Sequence, residues 1–184
     1  MAHRCRTPPA LSCGGHTGQV IIRPATGDDS PFLCQVVAYA ADWRPGTPPR
    51  TVAEVAASAE LAHYIVGWPR PGDVGVVAVD DDHDGGRPIG AAWWRSFSAD
   101  DPGYGFVDEM TPELSLGVVP TARGRGVGTE LMRALVAEAR ARSLAALSLS
   151  VEIDNPATRL YARLGFRTSV EADGARTMIL RLGD

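Results

Sequence analysis

Residues 121–132, TARGRGVGTELM, put three glycines at alternate positions with two arginines among them. They follow an apolar, strand-like run (ELSLGVV, 113–119) and lead into Val127, Leu131, Leu135 and Ala139, which share one face of a helix. Bare backbone where a helix begins constrains the fold more than anything else in the chain. Glycine permits positive φ and lets a ligand approach the main chain, and the first N–H groups of a helix have no acceptor within it. A strand, a glycine loop and a helix therefore form a nest of donors at a positive dipole end, suited to a phosphate or pyrophosphate.

Two familiar phosphate loops do not fit. A P-loop needs Gly-Lys-Ser/Thr, whereas Gly128 is followed by Thr129 and Glu130 and the chain contains no lysine. A dinucleotide fingerprint needs G-x-G-x-x-G directly after its strand and an acidic residue roughly 20 positions on. Here the spacing is G-x-G-x-G, the loop is offset by PTAR, and the next strand's acids come only at Glu152 and Asp154.

The rest of the pattern is α/β. QVIIRPA (19–25) reads as a strand that stops at a proline. TGDDSPFLCQVVAYAADW (26–43) reads as a helix, and PRTVAEVAASAELAHY (49–64) as another, with Thr51 and Glu54 as a capping box. DVGVVAVD (73–80) and RPIGAAWWRSF (87–97) read as antiparallel strands around the polar turn DDHDGG. SADDPGYGFVDEMTP (98–112) is a loop. After the glycine loop the spacing predicts a helix to about Arg142, then a strand (LAALSLSVEI, 144–153), a short helix between Pro156 and Gly165, and a hairpin turning at Asp173-Gly174. Hairpins mixed with parallel crossovers predict a mixed sheet flanked by helices.

The 18 basic residues are all arginine and are outnumbered by 22 acidic ones, for a net charge of −4, which disfavours a nucleic-acid partner. With 45% hydrophobic and 22% charged residues, a wholly disordered or fibrous chain is excluded. Residues 1–18, rich in Pro, Gly, Ser and Thr, read as a disordered N-terminal tail ahead of a single domain over 19–184. Their His3, Cys5, Cys13 and His16 lack the spacing of a zinc finger, so no metal is expected. Cys5, Cys13 and Cys34 leave one cysteine unpaired, and no window approaches the ~18 apolar residues of a spanning helix, so a cytoplasmic protein without a membrane partner is expected.

A second motif decides among phosphate ligands. SVEIDNPATRLYARLGF (150–166) runs as a strand, an Asn, a short helix carrying a Tyr, then Leu-Gly-Phe. With the glycine loop it resembles the GNAT N-acetyltransferases, whose cofactor motif is Gln/Arg-x-x-Gly-x-Gly/Ala; Arg123, Gly126 and Gly128 fill its three defined places. The resemblance extends to the element order from about residue 19 to 182. It implies a GNAT-like fold, a mixed, splayed sheet of about six to seven strands flanked by about four helices. It also implies acetyl-CoA as co-substrate. The pyrophosphate would lie on the N–H groups of Arg123, Gly124, Arg125, Gly126, Val127, Gly128 and Thr129, and the pantetheine arm along Val118 and Val119, in a cleft where strands 113–119 and 145–153 part. A free amide near Val118 would stabilise the thioester oxygen.

An amine with a pKa of about 10 must lose a proton before it attacks. Glu113, at the start of the motif strand, is the best placed base, with Glu109 second. The resemblance gives the proton donor for the departing thiolate to Tyr161, which also reads as packing with Leu160 and Leu164. It brings Asn155 to the cofactor arm, and Asn155 equally reads as a helix cap. Residues about 42–70 and 96–112 would line the acceptor side, where Trp43, Tyr64, Trp68, Trp93, Trp94 and Tyr104 form either a wall or core. The acceptor is a small-molecule or protein amine, and a homodimer fits the family. Two other readings stand beside this one: a CoA-binding sensor or interaction module without chemistry, and a dinucleotide-binding domain.

Overall fold

The computed structural model describes residues 19–81 and 86–183, so residues 1–18 and the tip of the acidic turn lie outside the described residues. Seven strands form one sheet: β1 (Val20–Pro24), β2 (Val74–Asp80), β3 (Arg87–Arg95), β4 (Glu113–Val118), β5 (Ala146–Glu152), β6 (Arg167–Ala172) and β7 (Ala175–Arg181), in the order β1-β2-β3-β4-β5-β7-β6. Among the described strands only β4 and β5 run parallel. Five α-helices accompany them: α1 (Ser30–Ala41), α2 (Val52–Ala57), α3 (Ala59–Ala62), α4 (Val127–Ala141) and α5 (Ala157–Arg163).

The two-fold alternation of strand side chains explains how this sheet is covered. Val76, Ala78, Ala92 and Trp94 join α4 and α5 in a core on one face, while Val77, Val79, Ala91 and Trp93 join α1 on the other. Strands buried on both faces read as the unbroken apolar runs seen in the sequence. α1 lies so close to β4 that a Cβ on Gly117 would stand 2.7 Å from Val36 Cγ1 and 2.8 Å from Val36 O.

The single helix expected within 49–64 is two. Thr51 and Glu54 do form the capping box, but Ser58 adopts φ −89° and ψ 113° and separates α2 from α3. The hairpin turn at Asp173-Gly174 is as expected, with φ of 50° and 77°.

The feature that positions the site is the parting of β4 from β5. Their only ladder pair is Glu113 with Ser148, held where Ser148 N–H donates to Pro112 O at 3.0 Å. Beyond that pair the strands diverge, and the open side of the fork is the cleft.

Candidate functional site

The cleft holds roughly 1100 Å³ and is lined by the ends of β4 and β5, the start of α4, α5, and the C-terminal part of α1. At one end is the glycine loop. After β4 the chain makes one 3₁₀ turn at Pro120–Ala122 and reaches Gly126, the N-cap of α4. Gly124 (φ 76°) and Gly126 (φ 85°) are left-handed, and a Cβ on either would find nothing within 4 Å. Among the described residues the N–H groups of 124–128 have no protein acceptor, whereas Arg123 N–H donates to Pro120 O and Thr129 N–H to Gly126 O. Of the amides 123–129 read from the sequence, five are thus unengaged among the described residues, and those of Arg123 and Thr129 already have acceptors. Its bare, unpartnered N–H groups at a helix start fit a pyrophosphate.

The two loop arginines turn elsewhere. Arg123 donates through Nε to Val118 O (3.2 Å), through Nη1 to Trp43 O (3.1 Å) and through Nη2 to Tyr39 O (3.0 Å). Arg125 pairs with Asp80 at 3.3 Å.

The cleft edge of β4 follows from its pairing with β3. Val119 N–H donates to Ile89 O at 2.9 Å, and antiparallel pairs alternate, so Gly117, Ser115 and Glu113 also turn their main-chain groups toward β3. Leu116 and Val118 turn theirs away from β3, into the fork. Val119, expected on this edge, has committed its amide to β3.

Glu113 sits at the closed end of the fork and is 3% exposed. Burial pushes its carboxyl up to about 7, against the lowering effect of hydrogen bonds from Tyr64 and the Gly105 amide. Tyr64 Oη donates to Glu113 Oε1 at 2.9 Å, while Oε2 has no partner among the described residues. The loop before β4 closes over the carboxylate: a Cβ on Gly103 would stand 2.1 Å from Oε2. Glu109, the second candidate base, does not line the cleft. It lies on a separate surface hollow with Arg70, Ser96 and Asp101.

Tyr161 also lines the cleft, 7% exposed, with its ring edge-on to Phe166 at 5.9 Å. Burial pushes its hydroxyl up, so it stays protonated at neutral pH. Asn155 lines the cleft too, and its Oδ1 accepts from Ala157 N–H at 2.9 Å, so the cap is formed.

The aromatic residues divide. Trp68, Trp93 and Trp94 are core, each indole donating to a main-chain oxygen (Thr26, Tyr64 and Gly72). Trp43, Tyr64 and Tyr104 line the cleft. Sequence reasoning missed the bond between Tyr64 and Glu113, 49 positions apart, for which no spacing rule exists. It also missed the ion pair of Arg44 with Glu152, which ties the segment after α1 to the end of β5. Among the described residues no cluster of His, Cys, Asp and Glu could hold a metal ion, and no helix is long and apolar enough to cross a membrane. His3, Cys5, Cys13 and His16 lie outside the described residues.

Residues 38–166, more than half of the chain, match the profile of the Acetyltransferase (GNAT) family. The chain belongs to that family. Among solved structures it is similar to a GCN5-related N-acetyltransferase from Kribbella flavida (TM-score 0.63, 23% identity, 89% of this chain and 98% of that one). It is also similar to yncA from Salmonella typhimurium, solved with its cofactor acetyl-CoA (TM-score 0.62, 22% identity, 90% and 95%). A third is the ribosomal-protein-alanine N-acetyltransferase from Brucella melitensis (TM-score 0.60, 24% identity, 88% and 99%). At such identities the likeness is one of fold. No curated protein matches the sequence. The profile spans the end of α1, the fork, the glycine loop and α5, which are the elements of this GNAT chain that build its cleft.

Proposed function

We propose that residues 19–184 form one acetyltransferase domain, with residues 1–18 as an appended tail. Its activity is transfer of an acetyl group from acetyl-CoA to a primary amine, by direct attack while both substrates occupy the cleft. One observation carries this: a single cleft is lined both by a bare N–H nest at a helix start and by a buried carboxyl with a pKa of about 7. Acetyl-CoA supplies the activated acyl group as a thioester.

The chain's own residues do the rest. Amides 124–128 hold the pyrophosphate, at the positive end of α4. The Leu116 and Val118 amides, turned into the fork, supply donors for the carbonyl oxygen on which charge develops. Glu113, whose carboxyl burial pushes up to about 7, takes the proton that the amine must lose. Tyr161, kept protonated by burial, gives a proton to the departing thiolate. Arg123 holds α1 against the loop and does not touch the phosphates. The acceptor is a small-molecule or protein amine, entering beside Tyr64 and Tyr104. Cys34 is buried and unbridged among the described residues, which agrees with a reducing, cytoplasmic location.

The test is acetyl transfer to a panel of amines, read by release of free thiol. Glu113→Gln and Tyr161→Phe should each lower kcat by about 10²-fold or more. Turnover unchanged in both would remove the assigned roles, and no turnover by the parent chain with any amine would leave a CoA-binding module. Thermal shift with acetyl-CoA, CoA, NAD and ATP decides the ligand, since a ligand at 100 times its Kd adds about 2.7 kcal/mol. Stabilisation by NAD alone would overturn the proposal.

A further inference from the structure

Tyr64 follows α3 in the chain and is buried, 7% exposed. Its Oη lies 2.9 Å from Glu113 Oε1 and 2.7 Å from the main-chain nitrogen of Tyr104. A main-chain N–H can only donate, so Tyr64 Oη accepts from Tyr104 and its single hydrogen goes to Glu113. The backbone of the loop before β4 thereby fixes the direction of the bond.

The ring has little freedom to point elsewhere. It meets the edge of His63 at 4.6 Å and of Phe97 at 5.1 Å, and stacks on Tyr104 at 6.3 Å and 16°. Its carbonyl oxygen accepts from the Trp93 indole at 3.1 Å. On the other side of the carboxylate, Oε2 is buried without a partner, and so is the hydroxyl of Ser148, the ladder partner of Glu113 on β5.

We propose that Tyr64 is the positioning residue of the acetyl-transfer site: its hydrogen bond to Oε1 fixes the orientation of the Glu113 carboxylate and favours its ionised, proton-accepting form. The inference rests on the reading of Glu113 as the base.

The charged and titratable groups around Glu113 leave this role to Tyr64. Arg95, directly opposite on β3, donates through Nη2 and Nε to Asp73 (2.5 and 3.2 Å) and through Nη1 to the carbonyls of His63 and Val66 (2.7 and 3.0 Å). His63, packed on the Tyr64 ring, pairs with Asp101 at 2.9 Å. Tyr104 Oη donates to Glu60 at 2.9 Å. β5 offers only the neutral Ser148, and the loop only the amide of Gly105. Among the described residues no cation meets the carboxylate, and Tyr64 is its one side-chain donor. A donor to the ionised form favours ionisation. Burial and the nearby Glu113 charge keep the Tyr64 hydroxyl itself protonated, so it donates at every working pH.

The test is the pH profile of kcat/KM in the full chain, with acetyl-CoA and the best amine of the panel. The parent should show an acid limb near pH 7, and Glu113→Gln should abolish it. Tyr64→Phe should move the limb up by about one pH unit, the worth of one hydrogen bond to a charged group. A fluorinated tyrosine placed at position 64, whose hydroxyl is a stronger donor of the same shape, should move it down. That second variant reports even if the phenylalanine variant folds poorly. A limb that Glu113→Gln abolishes but that neither change at 64 moves would overturn the role of Tyr64 alone. A limb that persists in Glu113→Gln would overturn the base reading, and this inference with it.

Discussion

Arg123 Nη2 donates to Tyr39 O at 3.0 Å, joining the glycine loop before α4 to a helix 84 residues earlier in the chain. Nη1 reaches Trp43 O just beyond the same helix, and Nε reaches Val118 O on β4. The last carbonyls of a helix have no acceptor role within it, and a cation there also meets the negative end of the dipole. Arg123 thus pins α1, which lines the cleft, to the strand and loop of the nest.

Arg123→Ala is therefore expected to loosen α1 more than it weakens cofactor binding. We expect a loss of about 1 kcal/mol, a fall in Tm of roughly 2–4 °C for a chain of this size, and a rise in the acceptor KM larger than the rise in the acetyl-CoA KM. Thermal unfolding and two-substrate kinetics measure both. A rise confined to the acetyl-CoA KM would show that the side chain meets the phosphates after all.

Gly126 is expected to matter for its φ as well as its bareness. At φ 85° an alanine is strained by about 1–2 kcal/mol, and relief of that strain would turn the amides of the nest away from a common point. Gly72, at φ 92° in the turn before β2 and outside the cleft lining, carries the same strain without the nest. Gly126→Ala and Gly72→Ala should lose similar stability, and only the first should raise the Kd for CoA, by tenfold or more in calorimetric titration. Equal affinities in the two variants would remove the nest from the binding site.

Glu113 ties stability to pH. Its carboxyl ionises at an ordinary 4.5 in the unfolded chain and at about 7 in the folded one, so the folded state holds the proton more tightly. Stability then falls as pH rises from about 4.5 through about 7 and levels off above. At ~1.4 kcal/mol per pH unit the difference comes to on the order of 3 kcal/mol. Glu113→Gln should be more thermostable than the parent, with a gap that is small at pH 5 and widest at pH 8. Melting curves that run parallel from pH 5 to 8 would show that the carboxyl is not held near 7.

These expectations differ in how far the sequence alone could carry them. Gly124 and Gly126 were legible because left-handed backbone and open space at a helix start are demands that few residues meet, so the residue type states the geometry. Trp93 and Trp94 sit in an unbroken apolar run, and such runs belong to strands covered on both faces. Ser58 was not legible as a break, since a serine fits a helix interior as well as an N-cap; in the structure its extended backbone makes it the N-cap of α3. Glu109 and Glu113 look alike as acids near a strand start, and only the fold of the loop sends one to the surface and the other under Gly103. The partner of Glu113 was least accessible: Tyr64 lies on another element, and a contact between distant elements leaves no period to read. Arg123 carries the opposite lesson, because the motif names its place in the loop while its side chain bonds to α1, Trp43 just beyond it and β4, which no motif states.

Asn155 offers the last discrimination, because its two readings predict different behaviour in one variant. Its Oδ1 accepts from Ala157 N–H at 2.9 Å and its main-chain oxygen from Thr158 Oγ1 at 2.8 Å, which together begin α5, a helix of only seven residues that carries Tyr161. So short a helix owes much of its order to its first turn. Asn155→Ala should cost about 1 kcal/mol and lower kcat by letting Tyr161 drift. Asn155→Asp keeps an oxygen for the cap and should restore both Tm and kcat to near the parent values. If Tm returns and kcat does not, the Asn155 amide nitrogen touches a substrate, and the cap is only the lesser part of what the residue does.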